Sequence, residues 1–276
     1  MPSTIICPSP FRERILAYGT GGTGKSTIPW QIMRRATTAR GYMLDIDYSP
    51  SAGVIGSFEY PELYASGRME IAPVMPEEFA KQLVQIEDWD KEATEDDWLF
   101  VDSATHGWTA VQGEYAEEAF GHSRAQHHLD ARRKQLRTNA KTMNPFEGDT
   151  DWNVIKPMYF QFYAALARWP GHVYITAEQK PLGDRDKGDD KQVFGAFGFR
   201  PDGESKLRHI TRTVVWMKKT RGGEFEYTVV KDRGRESKGV VEDRPWGMER
   251  SEDFVKRYLV EVAGWKTGKV NVEGEE

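Results

Sequence analysis

Lys25 and Ser26 are the first residues in this chain whose types and spacing could do chemistry. They close the run Gly19-Thr-Gly-Gly-Thr-Gly-Lys-Ser-Thr27, which fits G-x-x-x-x-G-K-[ST] from Gly19 to Ser26. Glycines at such spacing let successive backbone N–H groups turn inward onto one anion. Lys25 adds a mobile positive charge for the outer phosphates of a nucleotide, and the Ser26 hydroxyl can ligate Mg²⁺. The stretch Gly19, Thr20, Gly21, Gly22, Thr23, Gly24, Lys25, Ser26 and Thr27 is therefore read as a site for ATP and Mg²⁺. A second candidate is Asp102, which ends the apolar run Trp98-Leu-Phe-Val. In P-loop proteins an Asp so placed ends a strand beside the P-loop and holds Mg²⁺ through water. The bland reading of each motif is a glycine-rich turn and a buried strand that happens to end in an acid.

These residues need elements to place them. Arg14–Tyr18 is apolar enough for a buried strand, and Ile28–Ala39 reads as a helix with Pro29 in its first turn and Gly41 as its stop. A helix opening near Lys25 turns the positive end of its dipole toward the same anion. Gly41–Asp47 reads as a second strand ending in acids, and His172–Ala177 as another, followed by Glu178 and Gln179. Helices are predicted over Pro76–Ile86, His106–Phe120 and Trp152–Arg168, the last bent at Pro157. Tyr48–Pro73 reads as loop with short elements, and Glu87–Asp97 as an acidic, solvated connection. Lys180–Lys206 has no periodicity and predicts a long loop, a length that is usually functional or disordered. Leu207–Lys218 and Glu224–Lys231 read as two strands joined at Arg221-Gly-Gly223, and Ser251–Ala263 as a terminal helix with Ser251 as its N-cap. The organisation expected is an irregular lead-in over 1–12, one domain over 13–264 and a loose tail over 265–276, with Trp265 tucked against the body as an alternative.

Composition narrows the classes. A hydrophobic content of 38% with 29% charged residues fits a globular chain with a buried core. No apolar run approaches the ~20 residues that span a bilayer, and the start of the chain lacks a secretory signal pattern, so no membrane partner is expected and the cytoplasm is. The single cysteine, Cys7, excludes an intrachain disulfide and a multi-cysteine zinc site. With a net charge of −5, contacts to nucleic acid must come from local basic patches.

Taken in order, the P-loop, the acid-ended strand, the Asp-ended strand, the polar-ended strand, the long glycine-rich loop and a hairpin carrying K-x-R resemble the RecA-like ATPase core. More narrowly, the set is similar to the phage-encoded members of that group, including the Sak-type single-strand annealing ATPases. The resemblance covers roughly Arg12 to Arg235 and implies an α/β fold: a mostly parallel central sheet flanked by helices, with a C-terminal antiparallel hairpin. It implies a water-activating acid after the second strand, here Asp47, with Asp45 as second choice, although such proteins more often carry Glu there. It implies a γ-phosphate sensor after the fourth strand. Glu178 there would repel phosphate unless paired with a cation, which leaves Gln179 as the neutral choice and Thr176 as another. It implies that Lys231 and Arg233, two apart and so on one side of a strand, reach a neighbouring subunit's ATP as a finger in trans. Hydrolysis would then need a homo-oligomer with ATP sites at subunit interfaces.

Two segments are candidates for single-stranded DNA. Lys180–Lys206 stands where RecA-like proteins keep their second DNA-binding loop, and it mixes spaced cations with Phe194, Phe197 and Phe199. Arg124–Lys141, strongly basic, stands at the first. The alternatives are a solvated basic helix and a loop folded back onto the core. The function this implies is a DNA-stimulated ATPase acting in recombination or annealing. Two readings from other classes remain: a P-loop phosphotransferase acting on a small molecule, and a nucleotide-dependent assembly switch with little turnover.

Overall fold

The computed structural model describes residues 3–6, 12–46, 51–75, 78–140, 145–146, 148–183, 186, 188–223, 225–233, 244–246 and 254–269. The strands are β1 (Ser3–Ile6), β2 (Arg14–Gly19), β3 (Gly41–Asp45), β4 (Met69–Pro73), β5 (Trp98–Asp102), β6 (His172–Pro181), β7 (Phe199–Pro201), β8 (Thr213–Lys219), β9 (Phe225–Asp232), β10 (Arg244–Trp246) and β11 (Lys266–Lys269). The helices are α1 (Ile28–Arg35), α2 (Ser51–Glu59), α3 (Pro61–Ala65), α4 (Phe79–Asp90), α5 (Ala104–Phe120), α6 (Arg124–Thr138), α7 (Gly148–Arg168), α8 (Asp189–Phe194) and α9 (Leu207–Ile210). A π-helical stretch covers Val255–Val260.

The main sheet runs β10-β9-β8-β2-β6-β5-β3-β4, with β7 pairing the far end of β6. The six strands from β8 to β4 are parallel, and β9, β10 and β7 are antiparallel additions. This is the architecture the RecA-like resemblance implies, antiparallel β8–β9 pair included. A parallel sheet is covered on both faces, so its strands read as continuous apolar runs. Leu16 and Tyr18 join one core with α4, α5 and α7. Ile15 and Ala17 join the other with α1, α3 and the π-helical stretch. The sheet thus stands between two helical layers, and its parallel strands present their C-terminal ends at one edge.

Several elements depart from the sequence expectation. Tyr48–Pro73, expected as loop with short elements, holds α2, α3 and the parallel edge strand β4, so it is more ordered than a loop. Strand β4 leaves little trace in the sequence because only Met69 of its residues is buried: an edge strand gains much of its place from ladder bonds, here to β3. Gly56 of α2 lies against the Trp30 indole, where an added Cβ would come within 2.1 Å, so a flat face of α2 seats on α1. Leu207–Ile210 is a short helix ahead of β8, not part of it. Helix α7 keeps Pro157 inside its span, as expected. The expected N-cap Ser251 lies outside the described residues. The chain ends also differ from a lead-in and a loose tail, because β1 pairs β11 antiparallel; Trp265 is buried, which is the alternative of a tryptophan tucked against the body.

Beside that pairing, His172 is buried between the Trp98 and Trp265 rings, at 4.7 and 4.9 Å between centroids. Its Nδ1 accepts the Glu13 N–H at 3.0 Å, while Trp265 Nε1 donates to Glu13 Oε1 at 3.1 Å. Burial, then the nearby charges of Arg12 and Arg14, push its pKa down to about 3. An unfolded histidine takes its proton near 6.5, so between pH 6.5 and 3 the unfolded chain binds more protons than the folded one. His172 stabilises the neutral-pH fold, and that contribution is lost as pH falls through this window, by at most about 1.4 kcal/mol per pH unit. Urea midpoints measured from pH 7 to 4 are expected to fall more steeply for the wild type than for His172→Asn. Parallel curves would refute the assignment.

Candidate nucleotide-binding site

Strand β2 delivers its last residue, Gly19, between β6 and β8. A Cβ on Gly19 would lie 2.2 Å from the Met217 carbonyl oxygen of β8, so the backbone can pass there only as glycine. The loop then turns at Gly22 and Gly24, with φ of 72° and 82°, the left-handed region that glycine enters without strain. Lys25–Thr27 forms a 3₁₀ turn closed by Thr27 N–H donating to the Gly24 carbonyl at 3.1 Å, and it leads directly into α1. Tyr174 of β6 donates its hydroxyl to the Lys25 carbonyl at 3.1 Å, pinning the start of that turn to the sheet.

The Lys25 ammonium folds back into its own loop. It donates to the Gly19 and Thr20 carbonyls at 3.0 and 2.7 Å and to Thr23 Oγ1 at 3.4 Å. Burial lowers its pKa, and the negative charges of Asp102 and Glu178 oppose that shift. The cleft above it, about 420 Å³, is lined by Gly21 to Thr27, Asp102, Ser103, Ala177 and Glu178, with Ile55, Glu59 and His106 completing the wall. All the sheet contributions come from strand C-terminal ends, where open α/β sheets bind ligands.

Asp102 reaches this cleft from one strand further away than the motif implies, because β6 lies between β2 and β5. Its Oδ1 accepts the Thr176 hydroxyl, whereas its buried Oδ2 takes no hydrogen bond among the described residues. The adjoining Ser103 hydroxyl oxygen is likewise buried and unpartnered there. The peptide between the two residues is cis. A carboxylate oxygen left without a donor beside a phosphate-type loop is what a hydrated cation would satisfy. The donors at hand, the Asp102 carboxylate and the Ser26 hydroxyl, are hard oxygens suited to Mg²⁺. Among the described residues no group of three or more His, Cys, Asp or Glu forms a metal cage. That suits an ion that keeps several waters and leans on substrate phosphates.

Other expected site residues fall elsewhere. Gln179 does not line the cleft: its Oε1 accepts the Trp216 indole N–H at 2.9 Å. Glu178, set aside on the sequence as a phosphate repeller, does line it. Thr176 supports Asp102. Asp45 is buried in β3 and is absent from the cleft wall. Asp47 lies outside the described residues. Lys231 is turned inward, its ammonium donating to the Arg208 carbonyl and, at 3.0 Å, to that of Thr211. Burial, then Arg233 and Arg208, lower its pKa to about 8. Strand β9 ends at Asp232, and Arg233 follows it with its N–H donating to the Arg212 carbonyl at 2.9 Å; the Arg233 side chain is exposed, whereas that of Lys231 is turned inward. Ile55 and Glu59 were missed because they belong to α2, in the segment read as loop. His106, whose Nδ1 lies 2.7 Å from the Ile46 carbonyl, had no motif to mark it.

The two basic segments differ in state. In the segment after β6, Phe194 is buried edge-on to Tyr18, and Phe197 and Phe199 pack on Trp216 at 5.6 and 6.2 Å. Lys180 pairs with Asp202 at 2.5 Å, and Arg200 with Asp186 at 2.8 Å. Its rings, together with Lys180 and Arg200, are thus spent on its own fold, the folded-back alternative, while Lys191 is exposed. Helix α6 is the opposite: no residue of it is buried, and Arg132, Arg133, Lys134 and Arg137 are exposed.

Fold and site together define a P-loop α/β protein, with its phosphate loop between β2 and α1. No family model and no curated protein matches the chain. Among solved structures it is similar to a RadB recombinase, with 13% identity, a TM-score of 0.45, and 81% of this chain and 83% of that one covered. It is also similar to the ATPase domain of a second protein, with 8% identity, a TM-score of 0.45, and 85% of this chain and 81% of that one covered. At these scores the likenesses assign no activity to this chain. Among the described residues no helix is long and apolar enough to cross a membrane.

Proposed function

We propose that this chain is a Mg²⁺-dependent ATPase that works on single-stranded DNA, in recombination or strand annealing. One observation carries the nucleotide part: Gly21 to Ser26 of the glycine-rich loop, Lys25 among them, line one cleft together with Asp102, whose buried Oδ2 has no partner among the described residues. The phosphate chain would replace the loop carbonyls as the partner of Lys25, and the α1 dipole would favour the same charge. When bound, Mg²⁺ would be held by Ser26 and, through water, by Asp102, and it would neutralise charge on the outer phosphates. Asp47 remains the sequence candidate for orienting water. Of the K-x-R pair, Arg233 is the exposed member and so the one that could serve a neighbouring copy's site, a role that would need a homo-oligomer.

For DNA, α6 is the better of the two candidate surfaces, because Arg132, Arg133, Lys134 and Arg137 are exposed there, whereas Lys180 and Arg200 of the other segment are paired within it. The test is steady-state hydrolysis of Mg·ATP with and without single-stranded oligonucleotide, across protein concentrations. Turnover that rises with DNA, and per subunit with concentration, supports the reading. Turnover indifferent to DNA removes the DNA assignment, and failure to bind Mg·ATP removes the whole.

A further inference from the structure

Among the described residues, the acid best placed to act on water at this cleft is not one that the chain's motifs mark. We propose that Glu178 is the carboxylate that accepts the proton of the attacking water, an inference that rests on the nucleotide reading above. Four observations carry it. In the β2–β6 ladder Glu178 is paired directly with Gly19, the first residue of the phosphate loop. Parallel neighbours lie about 4.8 Å apart, so Glu178 stands within a side chain's reach of the loop, and it lines the cleft. Its backbone is fixed from both sides. The N–H donates to Thr105 Oγ1 at 2.9 Å, and the carbonyl accepts from Asp202 N–H at 2.7 Å. Thr105 is itself tied to that segment, its hydroxyl donating to the Asp202 carbonyl at 2.8 Å. The position is therefore held by β6, α5 and the start of the following turn, while the carboxylate is exposed and takes no hydrogen bond or ion pair among the described residues.

The other acids of the site are differently placed. Asp102 is bonded to Thr176, and its other oxygen is the one that would serve a metal ion; Asp45 is buried and is not part of the cleft wall. Glu59, at the C-terminal end of α2, also borders a neighbouring cavity with Arg34 and Arg68. The repulsion between Glu178 and phosphate is offset by the Lys25 ammonium, whose proton affinity Glu178 already raises. In the step, the water oxygen bonds to the γ-phosphorus while the bond from that phosphorus to the bridging oxygen breaks. The bonding pair leaves with ADP. The water's proton passes to Glu178 and then to the departing phosphate or solvent, leaving the carboxylate as it began.

Glu178→Gln keeps size and removes the base. It is expected to bind a fluorescent ATP analogue within threefold of wild type and to melt at the same temperature, since the side chain is exposed. Its kcat should fall by about 100-fold or more, and the acidic limb of the kcat–pH profile should vanish. Glu178→Asp, one methylene shorter, should show an intermediate rate and retain that limb. A Glu178→Gln kcat within threefold of wild type overturns the proposal, as does a loss of nucleotide affinity large enough to account for the rate. Wild-type protein that binds Mg·ATP without turning it over overturns it too. Wild-type protein that does not bind Mg·ATP fails at the earlier step, the nucleotide site itself.

Discussion

Replacing Lys25 with alanine is expected to weaken Mg·ATP binding by at least about 100-fold, or about 3 kcal/mol, the upper end for charge-assisted hydrogen bonds in a partly buried site. Isothermal titration should show no measurable heat at concentrations that saturate the wild type, and hydrolysis should disappear. The fold should survive. The ammonium is costly to bury and is repaid by two loop carbonyls and the Thr23 hydroxyl, so its removal takes away a desolvation cost along with the bonds. Lys25→Arg should not rescue binding, because a planar fork does not fit a nook shaped for a point charge. Affinity within threefold of wild type in Lys25→Ala would mean that the loop holds no phosphate.

Gly19→Ala is expected to cost about 3 kcal/mol, the upper end for overpacking in a tight core. The added Cβ would sit 2.2 Å from the Met217 carbonyl oxygen and 3.1 Å from Thr23 Oγ1. The nearer obstacle is backbone in the β2–β8 ladder, which cannot swing aside as a side-chain tip does. Either the strands part or the loop moves away from Lys25. At roughly 2–4 °C per kcal/mol for a chain of this size, the melting temperature should drop by about 10 °C, with nucleotide affinity falling alongside. Gly21→Ala is the control: open space surrounds its Cβ position and its φ is not in the left-handed region. It should melt within about 2 °C of wild type, since a change at an exposed, open site costs within about 0.5 kcal/mol. Equal melting temperatures for the two variants would refute the close-approach account.

The phosphate loop was legible because its signal is local. Glycine spacing, Lys25 and Ser26 act within one turn of chain, and the flanking strand and helix announce themselves by apolar pattern. The buried parallel strands were legible for a related reason: a strand covered on both faces must be apolar throughout, as Leu16 and Ile15 show by entering opposite cores. Ion pairs and ladder bonds are not local. The sequence of Lys180–Lys206 offers cations and phenylalanines as if to a ligand, and only the fold shows that Asp202, Asp186 and Trp216 take them up. The same limit applies to strand ends. Glu178 and Gln179 are adjacent in sequence, and neither composition nor motif says which of them faces the cleft. Pairing with Gly19 and the bond from Trp216 decide it.

By itself, then, the amino-acid order determined that this chain builds a phosphate loop between a buried strand and a helix, because those interactions span a few residues. Tertiary structure alone decided that β6 inserts between the loop strand and the Asp102 strand, that Lys231 turns inward, and which acid stands over the loop. Those outcomes depend on contacts between residues far apart in the chain, whose energies exist only once the sheet has formed.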